Sequence, residues 1–345
     1  MKRKQKIIAG LLLVGLIIAA CTQAAPSETA KDVNIALVIA QGGLGDRSYN
    51  DLAYEGFERA MKDFDFNGKA IESEDPVGEG EKMLRQAAES GFNLVITLEY
   101  SHFEALDRLA PDYPDTLFNI VNIFVDQPNV VGTLFKEQEG SFLVGALAAM
   151  VTTMEGNDKI NPEKIIGAVP GVENAAMQKF YGGYEEGAKY IDPDIEVLIS
   201  FSNAFGDPAK GRELALAQYE QGADIVYQIA GGTGEGVFVA AEEKNRYAIG
   251  VDSDQDFIKP GFILTSMMKR VDNAVYDVIK RFMEGTLEGG TYLEYGLAEN
   301  GVGISPMEFT KDVIPQEFLD RIEDIKQKIL DGEIVPTDPT KLGAG

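Results

Sequence analysis

From Val33 onward, short apolar runs alternate with stretches of helical period. The runs at 33–40, 93–98, 116–121, 164–169, 195–201, 224–229 and 246–251 are rich in Val, Ile, Leu and Phe, and several show no polar alternation. Runs of that kind suit strands buried on both faces of a parallel sheet. Helix-period stretches at about 51–64, 78–90, 102–111, 139–154, 173–190, 208–221 and 234–244 fall between them. Asp192-Pro193 and Asp207-Pro208 punctuate the order. The alternation predicts an α/β, doubly wound architecture. One such sheet rarely uses this many units, so two lobes are expected. Residues 32–135 with about 258–300 make lobe 1, and 136–257 with about 301–345 make lobe 2. The apolar segments 262–268 and 301–304 are read as strands returning between the lobes.

The N-terminus breaks this pattern. Lys2, Arg3, Lys4 and Lys6 precede an apolar run from Ile7 to Ala20, interrupted only by Gly10 and Gly15. This is a basic region followed by a hydrophobic one too short for a comfortable membrane span. It ends Ile18-Ala19-Ala20-Cys21. An aliphatic residue, two small residues and Cys resemble a bacterial lipobox, in which the thiol takes the lipid. Residues 1–20 are therefore read as a signal peptide and Cys21 as the lipidation site. Residues 22–31 are small and polar and read as a flexible tether. The product expected is a lipid-anchored body on the extracytoplasmic face of the cell membrane, outer surface or periplasm.

Composition narrows the function. The chain has 345 residues, 31 of them Lys or Arg and 56 Asp or Glu, for a net charge of −25. Removing the four basic residues of the export signal leaves 27 against 56, or −29. Binding to nucleic acid polymers needs clustered Lys and Arg, so it is excluded as a function class. Cys21 is the only cysteine, so no internal disulfide or Cys-based metal cluster forms. His102 is the only histidine and has no nucleophile nearby in sequence. It offers thin support for acid–base catalysis and is expected at a helix start or on a rim. No catalytic, metal or cofactor site is expected, and the chain is read as a non-enzyme.

In open α/β sheets, ligands bind beyond the C-terminal ends of the strands. After the first run comes Gln41-Gly42-Gly43-Leu44-Gly45-Asp46-Arg47-Ser48-Tyr49-Asn50. Its glycines permit a tight turn, Asp46 or Ser48 suits a helix cap, and Tyr49 and Asn50 face the strand ends. A capped turn with Tyr49 in the core is the plain structural alternative. After 195–201, Phe205 sits in a strand-to-helix loop. Two aromatics on facing loops sandwich a planar ring, with base–aromatic stacking worth about 1–3 kcal/mol. Phe205 covering a helix end is its alternative. Gly231-Gly232-Thr233-Gly234-Glu235-Gly236 lacks the Lys of a phosphate loop and reads as backbone approaching an uncharged ligand. Asp252-Ser253-Asp254-Gln255-Asp256 lacks the Gly of a calcium loop, since Phe257 stands at its sixth position. Asp252, first out of its strand, suits a sugar diol. Lys269 ends another apolar stretch and is read as meeting Asp252 or a ligand hydroxyl, or as an ordinary surface Lys. Asp126 completes the ligand-binding candidates.

Together these segments resemble the basic membrane protein family of substrate-binding lipoproteins. The matching pieces are Gly42–Gly56 (GGLGDRSYNDLAYEG), Tyr113-Pro114-Asp115, Asn129–Gly145 (NVVGTLFKEQEGSFLVG), Phe205–Gly211 (FGDPAKG), Ala230–Phe238 (AGGTGEGVF), Gly250–Gln255 (GVDSDQ) and Thr265–Tyr276 (TSMMKRVDNAVY). They run in family order. The resemblance implies a type I periplasmic-binding-protein fold, two Rossmann-like lobes joined by three crossing segments. It also implies delivery of the ligand to the permease subunits of an ABC importer. In the family's nucleoside binders two aromatics sandwich the base, which here puts Tyr49 and Phe205 in that role. Asp252 and Lys269 are then expected near the ribose, with Gly231 and Gly232 lining the cleft.

Two features depart from the family pattern. The acid usual before the first glycine is replaced in Ala40-Gln41-Gly42, where Gln41 offers an amide, and Thr97–Phe103 (TLEYSHF) is bulkier than usual. The expected ligand is a nucleoside, a purine ahead of a pyrimidine. The alternatives are another planar or polyol ligand on the same fold (a flavin, a modified base or a sugar), or a surface sensor or adhesin.

Overall fold

The computed structural model describes residues 33–341. The signal segment, Cys21 and the tether at 22–31 lie outside the described residues. Val33 begins a compact unit. Its strands are β1 (Asn34–Val38), β2 (Asn67–Ile71), β3 (Leu94–Thr97), β4 (Leu117–Val121), β5 (Val130–Phe135), β6 (Ile165–Pro170), β7 (Glu196–Ile199), β8 (Ala223–Ile229), β9 (Tyr247–Asp252), β10 (Ile263–Lys269), β11 (Thr291–Tyr295) and β12 (Val302–Ile304). Its helices are α1 (Tyr49–Asp63), α2 (Gly80–Glu89), α3 (Phe103–Leu109), α4 (Glu137–Thr152), α5 (Ala175–Ile191), α6 (Pro208–Glu220), α7 (Gly234–Lys244), α8 (Val271–Met283) and α9 (Gln316–Leu330).

The strands form two six-stranded sheets, ordered β11-β5-β4-β3-β1-β2 and β12-β10-β9-β8-β6-β7. The first five strands of each lobe follow the same 2-1-3-4-5 winding. All pairings are parallel except β10 with β12. The uniform apolar runs explain this. β1, β3 and β8 are buried along nearly their whole length between helix layers.

The chain passes between the lobes three times. After β5 it enters α4, which packs on α5, β10 and β12. After β10 it enters α8, which packs on α1. After β11 it returns to β12. This corrects one expected boundary. Residues 258–269 were placed with lobe 1, yet β10 pairs with β9 and β12 in the second sheet, so the crossing falls after Lys269. β10 is buried along nearly its whole length, as a central strand of either sheet would be, so its hydropathy carries no mark of which.

The α4–α5 contact is unusually close. A Cβ at Gly145 would collide with the Tyr184 carbonyl, and one at Gly187 with the Phe142 carbonyl. These glycines let two helix backbones meet. α4 is buried on nearly every side, consistent with its apolar circumference. Among the described residues no helix is long and apolar enough to cross a membrane.

Candidate functional site

The 2-1-3-4-5 order places the switch points of the two sheets at β1/β3 and β6/β8, where open α/β sheets hold ligands. A cavity of about 390 Å³ lies there, walled by the loops beyond β1, β3, β4, β6, β7, β8, β9 and β10. That volume lies within the ~300–1,000 Å³ range of small-molecule sites. Leu98, Val172, Met177, Phe180, Ile229 and Phe205 make much of the wall apolar.

The loop after β1 is held by Asp46. Its Oδ1 accepts from the Ser48 and Asp51 amides (2.9 and 3.2 Å), and its Oδ2 from the Asn50 amide and Asn50 Nδ2 (both 3.0 Å). The carboxylate thereby caps α1, as expected, at the cost of its own freedom. Burial nevertheless keeps its pKa above the usual carboxylate value. Asn50 is equally committed, accepting from the Ala40 amide (3.0 Å) and donating to the Gln41 carbonyl (3.2 Å). Gly42, Gly43 and Gly45 have φ of 97°, 70° and 93°, the conformation that requires glycine in this turn.

Tyr49 faces the cavity with its hydroxyl fixed at the far end. It donates to the Leu98 carbonyl (3.0 Å) and accepts from Asn122 Nδ2 (3.1 Å). Burial, followed by the nearby Asp252 and Glu99 carboxylates, raises its pKa well above the ordinary value. The hydroxyl therefore stays a donor. Phe205 lines the same cavity, its ring against Gly171, where any Cβ would collide. Its carbonyl accepts from the Thr233 amide (3.1 Å), which ties its loop to the glycine turn.

Asp252 ends β9 with φ 65°, a left-handed conformation that Asp tolerates better than most residues. Its Oδ2 accepts from Ser48 Oγ of the opposite lobe (2.6 Å). Among the described residues this is its one side-chain bond, and no protein donor reaches Oδ1. Burial pushes its pKa up to about 6, against the opposing pull of Lys269 and Ser48. Lys269 lines the cavity but is buried and already paired, its Nζ lying 2.8 Å from Glu137 Oε1 and 2.6 Å from Asn122 Oδ1. It also lies over the rings of Tyr49, Phe135 and Phe180 at 4.8–5.3 Å. The surface alternative for Lys269 is thereby overturned.

Gln41, Asp46, Tyr49, Asn50, Phe205, Gly231, Asp252 and Lys269 thus share one cavity. Two candidates do not. Asp126 is exposed and lines a separate depression with Phe103, Glu104, Asp107 and Arg108. The chain turns sharply at Asn122 (φ 76°), so Asn122 occupies the strand-end position and Asp126 is carried away. Gly232 lies behind the wall, where a Cβ would sit 3.3 Å from the Phe205 carbonyl. It serves loop packing rather than the lining. His102 starts α3 as expected but is buried rather than on a rim. Its Nε2 meets the Pro76 carbonyl (2.7 Å) and so carries the proton, leaving Nδ1 to accept from Thr97 Oγ1 (2.8 Å). Burial lowers its pKa.

Sequence reasoning missed Glu99, Asn122, Asn174, Met177 and Phe180 as lining residues. Glu99 and Asn122 each directly follow a strand run, so the strand-end rule already pointed to them. Asn174, Met177 and Phe180 sit beyond β6 and in the first turns of α5, where the loop Gly171-Val172-Glu173-Asn174 matches no ligand-binding motif and the apolar residues read as helix core.

Two wound lobes with three crossings and a cavity between their strand ends define a solute-binding protein of the type I periplasmic class. A solved solute-binding protein of an ABC transporter system from Aeropyrum pernix K1 superposes with a TM-score of 0.81 at 28% identity, over 90% of this chain and 94% of that one. The family model described as ABC transporter substrate-binding protein PnrA-like matches residues 33–338. The chain belongs to this Bmp family of ABC transporter substrate-binding proteins, which bind small ligands and work with permease subunits; solute-binding proteins are not an enzyme class. An uncharacterized lipoprotein of Pyrococcus abyssi is 33% identical, over 96% of this chain and 91% of its own. The ABC transporter nucleoside-binding protein BmpA of Lactococcus lactis subsp. cremoris is 30% identical, over 99% of this chain and 100% of its own.

Proposed function

We propose that this chain is a lipid-anchored receptor that binds a nucleoside between its lobes and hands it to an ABC importer. The observation that carries this reading is the joint presence of Tyr49, Phe205 and Asp252 in one cavity. Tyr49 and Phe205 supply flat apolar faces for a base, and Asp252 supplies a carboxylate oxygen for the two hydroxyls of a ribose. The cavity's surplus of carboxylates over its single Lys269 disfavours a phosphorylated ligand. The name of the BmpA relative agrees with a nucleoside. The anchor is Cys21, supported by the basic and apolar run before it and by the lipoprotein name of the Pyrococcus relative. The chain then sits on the extracytoplasmic face of the membrane, where a net-negative body stays soluble.

Mass spectrometry of the small molecules released on denaturing the purified chain tests the ligand. A nucleoside supports the reading, whereas a flavin or a free sugar overturns it. Metabolic labelling with palmitate tests the anchor, and a Cys21→Ala variant should lose the label.

A further inference from the structure

Glu99 is a cavity residue with no role in the account above. It lies two residues beyond the end of β3 and is 4% exposed. Its Oε1 is crowded with donors, the Ser101 amide (3.2 Å), Ser101 Oγ (2.9 Å) and Gln41 Nε2 (3.4 Å). Its Oε2 accepts only the Gln41 amide (3.0 Å) among the described residues. Each carboxylate oxygen has two lone pairs, so Oε2 keeps one for a ligand. The bonds that crowd Oε1 hold the carboxylate rigid and fix where that lone pair points.

We propose that Glu99 reads the ligand's base, taking a ring N–H through Oε2 and so selecting 6-oxopurine nucleosides such as inosine and guanosine. This rests on the nucleoside reading. An ionised carboxylate is acceptor-only. The N1–H of a 6-oxopurine gives it a charge-assisted hydrogen bond. Adenosine would turn its unprotonated N1 lone pair toward the same oxygen, an unpaired acceptor against a buried anion. Selection here comes from rejection of the wrong edge as much as from attraction of the right one. Tyr49, Glu99 and Asp252 line one cavity, which places the base reader and the ribose acid around one aromatic residue.

The test is calorimetric titration of the ligand-stripped chain with inosine, 1-methylinosine and adenosine, repeated on Glu99→Gln. The wild type should bind inosine about tenfold or more tighter than either of the other two. Glu99→Gln keeps its one carbonyl oxygen for the Ser101 donors and turns an N–H group toward the ligand, giving up the acceptor of the Gln41 amide, so its preference should shift toward adenosine. The inosine advantage over 1-methylinosine should shrink at the same time. The proposal is overturned if the wild type binds 1-methylinosine as well as inosine, or if Glu99→Gln keeps the wild-type ratios. The methylated ligand tests the unmodified protein, so a poorly folding variant does not shield the idea. If no nucleoside binds the wild type while the stripped chain remains folded, the nucleoside reading itself fails, a result distinct from nucleosides that bind without base preference.

Discussion

Ser48 Oγ of the first lobe donates to Asp252 Oδ2 of the second across 2.6 Å. The acid assigned to the ligand therefore also joins the two lobes at the cavity wall. The neighbouring contacts reinforce that seam. Ser253 Oγ and Gln255 Nε2 both donate to the Arg47 carbonyl (2.9 and 3.0 Å), and Arg47 lies 3.5 Å from Glu235. The Arg47–Glu235 pair is largely exposed and contributes little alone. The buried Ser48–Asp252 bond is the lobe-to-lobe contact made by a residue of the cavity wall itself.

Asp252→Ala should weaken nucleoside binding at least about tenfold, or about 1.4 kcal/mol, because it removes both the diol acceptor and the lobe-to-lobe bond. Ser48→Ala removes the bond alone and should cost less. Calorimetry on both variants checks the order, and an unchanged affinity for Asp252→Ala would take this residue out of the site.

Asp252 also sets a pH dependence with two opposite signs. Its pKa in the folded chain is raised to about 6 by burial. A raised folded pKa means its contribution to stability is lost as pH rises through about 6 and recovered as pH falls toward its ordinary value. Ribose hydroxyls bind the ionised form, so affinity should move the other way. The Kd of a ribonucleoside should weaken about tenfold from pH 7 to pH 5, while Asp252→Asn flattens both the affinity and the melting profile relative to wild type. Titrations and thermal melts across that range supply the comparison.

Lys269 is more a structural cation than the sequence implied. Lys269→Met would strand the Glu137 carboxylate, which is buried at 2% exposure and otherwise has Lys179 3.4 Å away. Breaking one side of such a pair costs about 3–5 kcal/mol. The Glu137→Gln, Lys269→Met double variant should lose less than the sum of the single losses. Chemical denaturation of the three variants measures this coupling.

Gly187→Ala should destabilise the second lobe by about 1–3 kcal/mol through overpacking, since its Cβ would meet the Phe142 carbonyl where α4 and α5 touch. Gly182→Ala, on the same helix with no backbone against it, is the control and should leave the melting temperature nearly unchanged.

Much of the fold was legible because buried parallel strands write themselves as unbroken apolar runs. The runs at 93–98 and 116–121 correspond to β3 and β4, and those at 224–229 and 246–251 to β8 and β9. β2 and β11 escaped because they are edge strands with polar or exposed residues, such as Asn67, Lys69 and Tyr292. The lobe of β10 was not legible, since a strand buried in either sheet carries no trace of its pairing partners. In the site, residues marked by glycine turns and strand-end acids came together as expected. Asp126 did not, because a single left-handed residue, Asn122, redirected the chain. Lys269 lines the cavity, but its Nζ pairs with Glu137 rather than with the expected Asp252, and Glu137 was not foreseen because the two lie on different crossings between the lobes.

The most direct test of the whole account is a calorimetric titration of the ligand-stripped chain with a ribonucleoside and its 2′-deoxy counterpart. The account predicts one site per chain, with the ribonucleoside bound about tenfold tighter, because Asp252 accepts from both ribose hydroxyls. Equal affinity for the two would contradict the diol contact. Heat from neither, on a chain that melts cooperatively, would contradict the nucleoside itself.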